Sequence, residues 1–97
     1  VEVAKVSEDN PELISKLLAK RGCNKVLWEC GPKLATAAIK SGCINEIISF
    51  IAPKILGGEI SMNPFGDFDF LEMHEIIKLR ESYVSFLGND ICIKNSL

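Results

Sequence analysis

The residues best suited to chemistry lie at a junction between an apolar run and a helical segment. Val26-Leu27-Trp28 ends at Glu29, and Gly31-Pro32 then leads directly into an alanine-rich stretch that stops at Gly42. Gly31 lets the backbone turn, and Pro32 suits the first helical position because its fixed φ is already helical. The spacing therefore predicts a strand followed at once by a helix, with a carboxylate at the tip of the strand.

This junction would suit an anionic ligand. The first N–H groups of a helix have no intrahelical acceptor and lie at the positive end of the helix dipole. In α/β folds, phosphates bind where such a helix end follows the carboxyl end of a strand. The carboxylate of Glu29 could accept hydrogen bonds from hydroxyl or amino groups. An ordinary strand-to-helix junction with a solvated carboxylate fits these residues equally well.

Length and composition indicate one soluble globular domain. The chain has 97 residues, of which 47% are hydrophobic and 25% charged, with a net charge of −2. A chain of this length buries roughly 60–65% of its unfolded surface, which is enough for one sheet with helices on it. The apolar runs are too short to span a bilayer, and no basic stripe with interleaved aromatic residues indicates a nucleic-acid partner.

The cysteines indicate reduced thiols and a cytoplasmic location. Their spacing contains no Cys-x-x-Cys pair and His74 is the only histidine, so no zinc site of the usual kind can be assembled. Cys30 lies near the candidate site, but no histidine close in sequence could activate it as a nucleophile. His74 is expected to be structural or on the surface. We therefore predict no metal and no catalytic acid, base or nucleophile.

Patterns along the chain predict an α/β fold. Asn10 followed by Pro11 is a strong helix start, and Gly22 is expected to end that helix. The expected strands, which would be parallel neighbours in one sheet, cover residues 1–6, 25–29 and 46–52. The expected helices, which would pack on that sheet, cover residues 11–21 and 32–41.

The second half of the chain is expected to add a loop and a hairpin. Residues 59–70 contain Gly66 and three phenylalanines, which is typical of an irregular loop that packs its rings against the body. Residues 74–79 fit a short helix or a strand. Residues 81–86 and 90–94 alternate in polarity on either side of a Gly-Asn turn, which predicts an antiparallel hairpin.

Taken in order, these segments resemble the reductase domain of the bifunctional deaminase-reductase of riboflavin biosynthesis. The resemblance covers nearly the whole chain and lies in Glu29-Cys30-Gly31-Pro32-x-Leu34, the alanine-rich helix, Asn45-Glu46, Ile51-Ala52-Pro53-x-x-Leu56-Gly57-Gly58 and Leu87-Gly88-Asn89-Asp90-Ile91. It implies a dihydrofolate-reductase-like mixed sheet, with parallel core strands flanked by helices and a C-terminal antiparallel hairpin. Residues 1–97 would be the C-terminal portion of that domain, a fragment of a longer chain.

The resemblance also implies a reaction. In that family a hydride passes from NADPH to the ribose of 5-amino-6-(5-phosphoribosylamino)uracil, which opens to a ribityl chain. Glu29 would contact the substrate. The residues that would contact the cofactor are Gly31, Pro32, Lys33, Leu34, Ala35, Thr36 and Ala37. The family usually has glycine at the position of Cys30, so this residue would weaken cofactor binding if a positive φ or a close approach were needed there.

Two other functional classes stay open at this point. One is another NADPH reductase of the same fold that acts on a related pyrimidine or pterin, and the other is a non-catalytic α/β binding or dimerisation module. Sequence upstream of Val1 would separate them, since a His-x-Glu and Pro-Cys-x-x-Cys pattern would indicate the zinc deaminase. An exposed sheet edge is expected in residues 1–97 alone, which predicts a homo-oligomer.

Overall fold

The computed structural model describes residues 3–6, 10–60 and 62–97. The chain forms two compact units, one of residues 1–43 with 63–68 and the other of residues 44–62 with 69–97. The first unit contains the α-helices and the second contains the β-sheet.

Two helices form the first unit, α1 over Pro11–Lys20 and α2 over Pro32–Lys40. Each begins with proline at its first position, where the missing N–H costs no intrahelical hydrogen bond. The Oδ1 atom of Asn10 accepts the N–H of Leu13 at 3.1 Å and so caps α1. Both predicted helix starts are confirmed.

Both helices end at a glycine in the left-handed region. Gly22 has a φ of +85° and Gly42 a φ of +72°. The N–H of Cys43 donates to the carbonyl oxygen of Ala38 at 3.1 Å, and an equivalent bond closes α1. This pattern is the Schellman motif, in which a glycine reverses the chain and the last carbonyls find donors. Both predicted helix ends are confirmed.

Three antiparallel strands form the sheet of the second unit, in the order β1-β3-β2. The strands are β1 over Glu46–Ile51, β2 over Arg80–Leu87 and β3 over Asp90–Ser96. Gly88, with a φ of +63°, lies in the tight turn between β2 and β3, so the predicted C-terminal hairpin is confirmed. Residues 74–79, expected to form a short helix or a strand, contain the end of a 3-10 turn over Met73–Glu75 and no strand.

The predicted parallel arrangement of the core strands is not confirmed, because the one neighbour of β1 within the described sheet is β3, which runs antiparallel to it. Residues 25–29 and the described part of 1–6 form no strand, while Val1 and Glu2 lie outside the described residues. A strand exists only where a neighbour supplies hydrogen-bond partners, and within the described chain these segments have none. The apolar pattern indicated a buried strand, whereas Leu27 is 81% exposed.

Large apolar side chains remain exposed on both faces of the sheet. Residues opposite one another in register share a face, which puts Phe50 with Tyr83 on one side and Val84 with Phe86 on the other. These four side chains are 55–73% exposed. Each face of the described sheet thus carries an exposed aromatic ring.

Candidate functional site

The candidate site lies where the chain enters α2. Gly31 is the N-cap residue, with φ −72° and ψ 170°, and Pro32 is the first helical residue. Glu29 and Lys33 are exposed on either side of this turn. The structure thus brings the predicted residues into one continuous stretch of the helical unit, namely Glu29, Gly31, Pro32, Lys33, Leu34, Ala35, Thr36 and Ala37.

Three backbone N–H groups at the start of α2 have no intrahelical acceptor. The first bond within the helix runs from Ala35 N–H to the Gly31 carbonyl oxygen at 3.0 Å, and the N–H groups of Gly31, Lys33 and Leu34 precede it. No side chain caps this end, whereas Asn10 caps α1. The amino end of α2 therefore offers hydrogen-bond donors and the positive end of a helix dipole to an anion.

The backbone at this junction is relaxed. The φ of Gly31 is −72°, and a Cβ atom added there would meet no heavy atom within 4 Å. Cys30 is not among the residues with a positive φ. A left-handed conformation, one of the two reasons for expecting Cys30 to weaken cofactor binding, is therefore not required in this structure.

The loop of residues 63–68 packs on the first turn of α2. The N–H of Gly66 donates to Thr36 Oγ1 at 2.8 Å and also approaches the carbonyl oxygen of Pro32 at 3.3 Å. Thr36 is only 6% exposed. Its hydroxyl, on a residue predicted to contact the cofactor, is thus directed at the loop, and whether it also contacts a ligand stays a prediction.

An aromatic ring of the same loop also contacts α2 near its C-terminal end. The ring centroids of Phe65 and Phe68 lie 6.3 Å apart, and Lys40 Nζ lies 5.8 Å from the centroid of Phe68. The lysine ammonium is attracted to the ring face. Sequence analysis predicted that the rings of this loop would pack, but it did not identify Gly66 as the residue in contact with the candidate site. The glycine between two phenylalanines was the available signal.

Three further features of the part of the chain that the structure describes bear on function, namely possible metal ligands, the only histidine and the length of the helices. There, no three His, Cys, Asp or Glu side chains lie close enough together to hold a metal ion. His74 is exposed, and its Nδ1 lies 3.0 Å from a carboxylate oxygen of Glu72. The described helices are all too short or too polar to cross a membrane.

Comparison with known proteins identifies the family. Residues 3–93 match the family model of the RibD C-terminal domain. The chain belongs to this family. The chain is 35% identical, over all 97 residues, to the riboflavin biosynthesis protein PYRR of Arabidopsis thaliana, which is named chloroplastic. RibD of Synechocystis is 34% identical over 93% of the chain, and RibD of Buchnera aphidicola is 52% identical over 78% of it.

The chain also resembles a solved RibD structure. RibD of Acinetobacter baumannii superimposes with a TM-score of 0.75 and 27% identity over 99% of the chain. The chain spans only 16% of the Arabidopsis protein, 24% of the Synechocystis protein and 25% of the Acinetobacter chain. The resemblance to the riboflavin-biosynthesis reductase domain is thus confirmed, and the chain corresponds to a part of that enzyme.

Proposed function

We propose that these residues are the C-terminal portion of an NADPH-dependent reductase that converts the ribose of 5-amino-6-(5-phosphoribosylamino)uracil to the ribityl form. Membership of the RibD C-terminal domain family supports a reductase of riboflavin biosynthesis in general. The observation that carries the more specific proposal is the uncapped amino end of α2 directly after Glu29. It combines donors for a phosphate with an acceptor for a polar substrate.

The residues at the start of α2 fit the phosphates of NADPH. The N–H groups of Gly31, Lys33 and Leu34 are the donors available before the first intrahelical bond. Pro32 restricts the turn and so lowers the entropy lost when these donors are held in place. Lys33 is exposed, and its ammonium group adds a positive charge beside them. The small side chains of Ala35 and Ala37, together with Thr36, complete the proposed cofactor segment.

Glu29 is proposed to orient the substrate. Its exposed carboxylate comes two residues before the N-cap of α2, so a sugar or pyrimidine held there would lie near the proposed cofactor segment. A carboxylate accepts hydrogen bonds from ribose hydroxyl and pyrimidine amino groups. The bound cofactor supplies the hydride, and residues 29–37 supply binding and alignment of the two reactants.

The longer polypeptide is proposed to have a dihydrofolate-reductase-like mixed sheet. The chain spans only a small part of the length of its relatives. Its apolar segment at 25–29 has no strand partner among the described residues. Both observations favour additional strands from other residues.

We further propose a homo-oligomer, because the outer strands β1 and β2 have unpaired edges within the described sheet. We also propose a cytoplasmic location, since the four described cysteines are free thiols. A plastid location in the manner of the Arabidopsis relative is the alternative that localisation of a tagged protein would reveal.

The test is a binding and turnover measurement on the full-length polypeptide that carries these residues. NADPH titration followed by its fluorescence, with NADH as the control, should show a dissociation constant for NADPH below about 100 μM. Incubation with the phosphoribosylamino-pyrimidine should yield the ribityl product, and Glu29→Gln should raise the KM for that substrate. NADPH binding with turnover of a different pyrimidine or pterin would contradict the substrate. Absence of NADPH binding would indicate a non-catalytic module.

A further inference from the structure

We infer that Thr36 is a positioning residue, whose buried hydroxyl anchors the 63–68 loop and thereby fixes the peptide unit that presents an N–H group to the cofactor phosphate. The inference rests on the proposed function. It gives Thr36 a role different from direct contact with NADPH. It also brings Gly66, which lies 30 residues away in sequence, into the machinery of the site.

The first step of the argument is the shared hydrogen bond. The Gly66 N–H lies 2.8 Å from Thr36 Oγ1 and 3.3 Å from the Pro32 carbonyl oxygen, so the hydroxyl is the closer of its two acceptors. In a helix, side chains lean toward the amino end, which brings the hydroxyl of residue 36 beside the carbonyl of residue 32, one turn earlier. The helix itself thus creates the paired acceptor that holds the loop.

The second step concerns the peptide bond between Pro32 and Lys33. The carbonyl of Pro32 and the N–H of Lys33 belong to one planar unit, so a contact that restrains the oxygen also restrains the N–H. That N–H is one of the three donors at the uncapped end of α2. The Gly66 donor also polarises the same peptide, which strengthens the Lys33 N–H as a donor to an anion.

The third step is the close approach that the anchor needs. A Cβ atom at residue 66 would lie 3.4 Å from Thr36 Oγ1 and 3.7 Å from the Pro32 oxygen. The first of these distances lies at the lower limit of ordinary van der Waals contact, so a side chain that extends beyond Cβ at residue 66 would crowd the hydroxyl. Because Thr36 is 6% exposed, water would not easily replace the lost partner.

The test compares Thr36→Val with Thr36→Ser in the full-length polypeptide. Valine keeps the shape and removes the acceptor, whereas serine keeps the hydroxyl. We expect Thr36→Val to raise the KM for NADPH about five- to tenfold while kcat changes less than about twofold, the loss expected for one hydrogen bond. Thr36→Ser should restore the KM to within about twofold of the original value. Hydrogen exchange at the Gly66 amide should accelerate in Thr36→Val and not in Thr36→Ser.

Two further variants control the experiment. Ser41→Ala removes the hydroxyl that donates to the Ala38 carbonyl at 3.0 Å, at the other end of the same helix, and should leave the KM for NADPH unchanged. Gly66→Val, whose methyl groups extend beyond Cβ, should raise that KM in the same direction as Thr36→Val, which keeps the inference testable if Thr36→Val does not fold. An unchanged KM in Thr36→Val or Gly66→Val, or equal losses in Thr36→Val and Thr36→Ser, would overturn the positioning role alone. A wild-type protein that does not bind NADPH would overturn the proposed function and this inference with it.

Discussion

The side-chain amide of Asn95 donates to the hydroxyl of Ser82 at 2.6 Å, at the one irregularity of the β2–β3 hairpin. Here β2 has two residues, Glu81 and Ser82, opposite Asn95 in β3. The extra residue makes a bulge, and Asn95 is only 8% exposed beside it. The buried amide thus has a partner because the bulge brings Ser82 toward it.

This pair predicts a measurable coupling. Asn95→Ala should lower the free energy of unfolding by about 1–2 kcal/mol, because a buried polar group loses its partner. Ser82→Ala should cost a similar amount, and the double variant should cost less than the sum of the two. Urea unfolding of the full-length polypeptide at one protein concentration would measure all three values. Strict additivity would show that the contact contributes nothing.

A second prediction concerns Glu81, which has a φ of +52° in the bulge. Because a side chain in this left-handed region is strained, Glu81→Val should lower the free energy of unfolding by about 1–2 kcal/mol beyond the effect of losing the carboxylate. Glu81→Gly should be neutral or stabilising even though it loses the hydrogen bond that the Ser96 hydroxyl donates to Glu81. The same urea titration measures both, and equal losses for glycine and valine would mean that the bulge stores no strain.

A third prediction compares substitutions at the starts of α1 and α2, one of which should affect stability and the other cofactor binding. Gly31→Leu should weaken NADPH binding about tenfold or more in the full-length polypeptide, because the side chain enters the path of the phosphate. Folding should be little affected, since a Cβ at Gly31 meets no heavy atom within 4 Å. Fluorescence titration and a thermal unfolding scan would follow the two properties.

The matched control for Gly31→Leu is Asn10→Ala, which removes the cap of α1. It should lower the free energy of unfolding by about 1 kcal/mol and leave NADPH affinity unchanged, the reverse of the pattern expected at Gly31. Unchanged affinity in Gly31→Leu would refute the assignment of the phosphate to the amino end of α2.

A fourth prediction concerns residues 1–97 as an isolated polypeptide. The outer strands β1 and β2 have unpaired edges within the described sheet, and Phe50 and Tyr83 are 61% and 68% exposed. We expect a dimer or larger oligomer whose apparent stability rises with protein concentration, and no reductase activity. Light scattering between about 1 and 100 μM would measure the association over a range that includes typical weak affinities.

Phe50→Lys should weaken that association, because it puts a charge on an outer strand. Leu56→Lys is the control, since Leu56 is 99% exposed but lies outside the strands. A stable monomer at high concentration that reduces the substrate at the rate of the full-length polypeptide would show that the 97 residues are a complete small enzyme.

Local sequence determined the helices and the hairpin. Each helix start and end depends on residues only a few positions apart, so these could be predicted from the sequence alone. The starts are specified by Asn10-Pro11 and Gly31-Pro32, and the ends by Gly22 and Gly42. The turn at Gly88 is equally local. The uncapped start of α2 follows from the same kind of signal, since glycine at the N-cap has no side chain to accept a hydrogen bond.

Tertiary structure decided the contacts between residues far apart in the chain. An apolar run such as Val26-Leu27-Trp28 shows that a segment could pair, but its partner and direction depend on other strands, so the expected parallel core was not found and β1 pairs antiparallel with β3. The contact of Gly66 with Thr36 joins residues 30 positions apart. No periodicity encodes such a contact, because it depends on how a loop folds back onto a helix that the sequence specifies only locally.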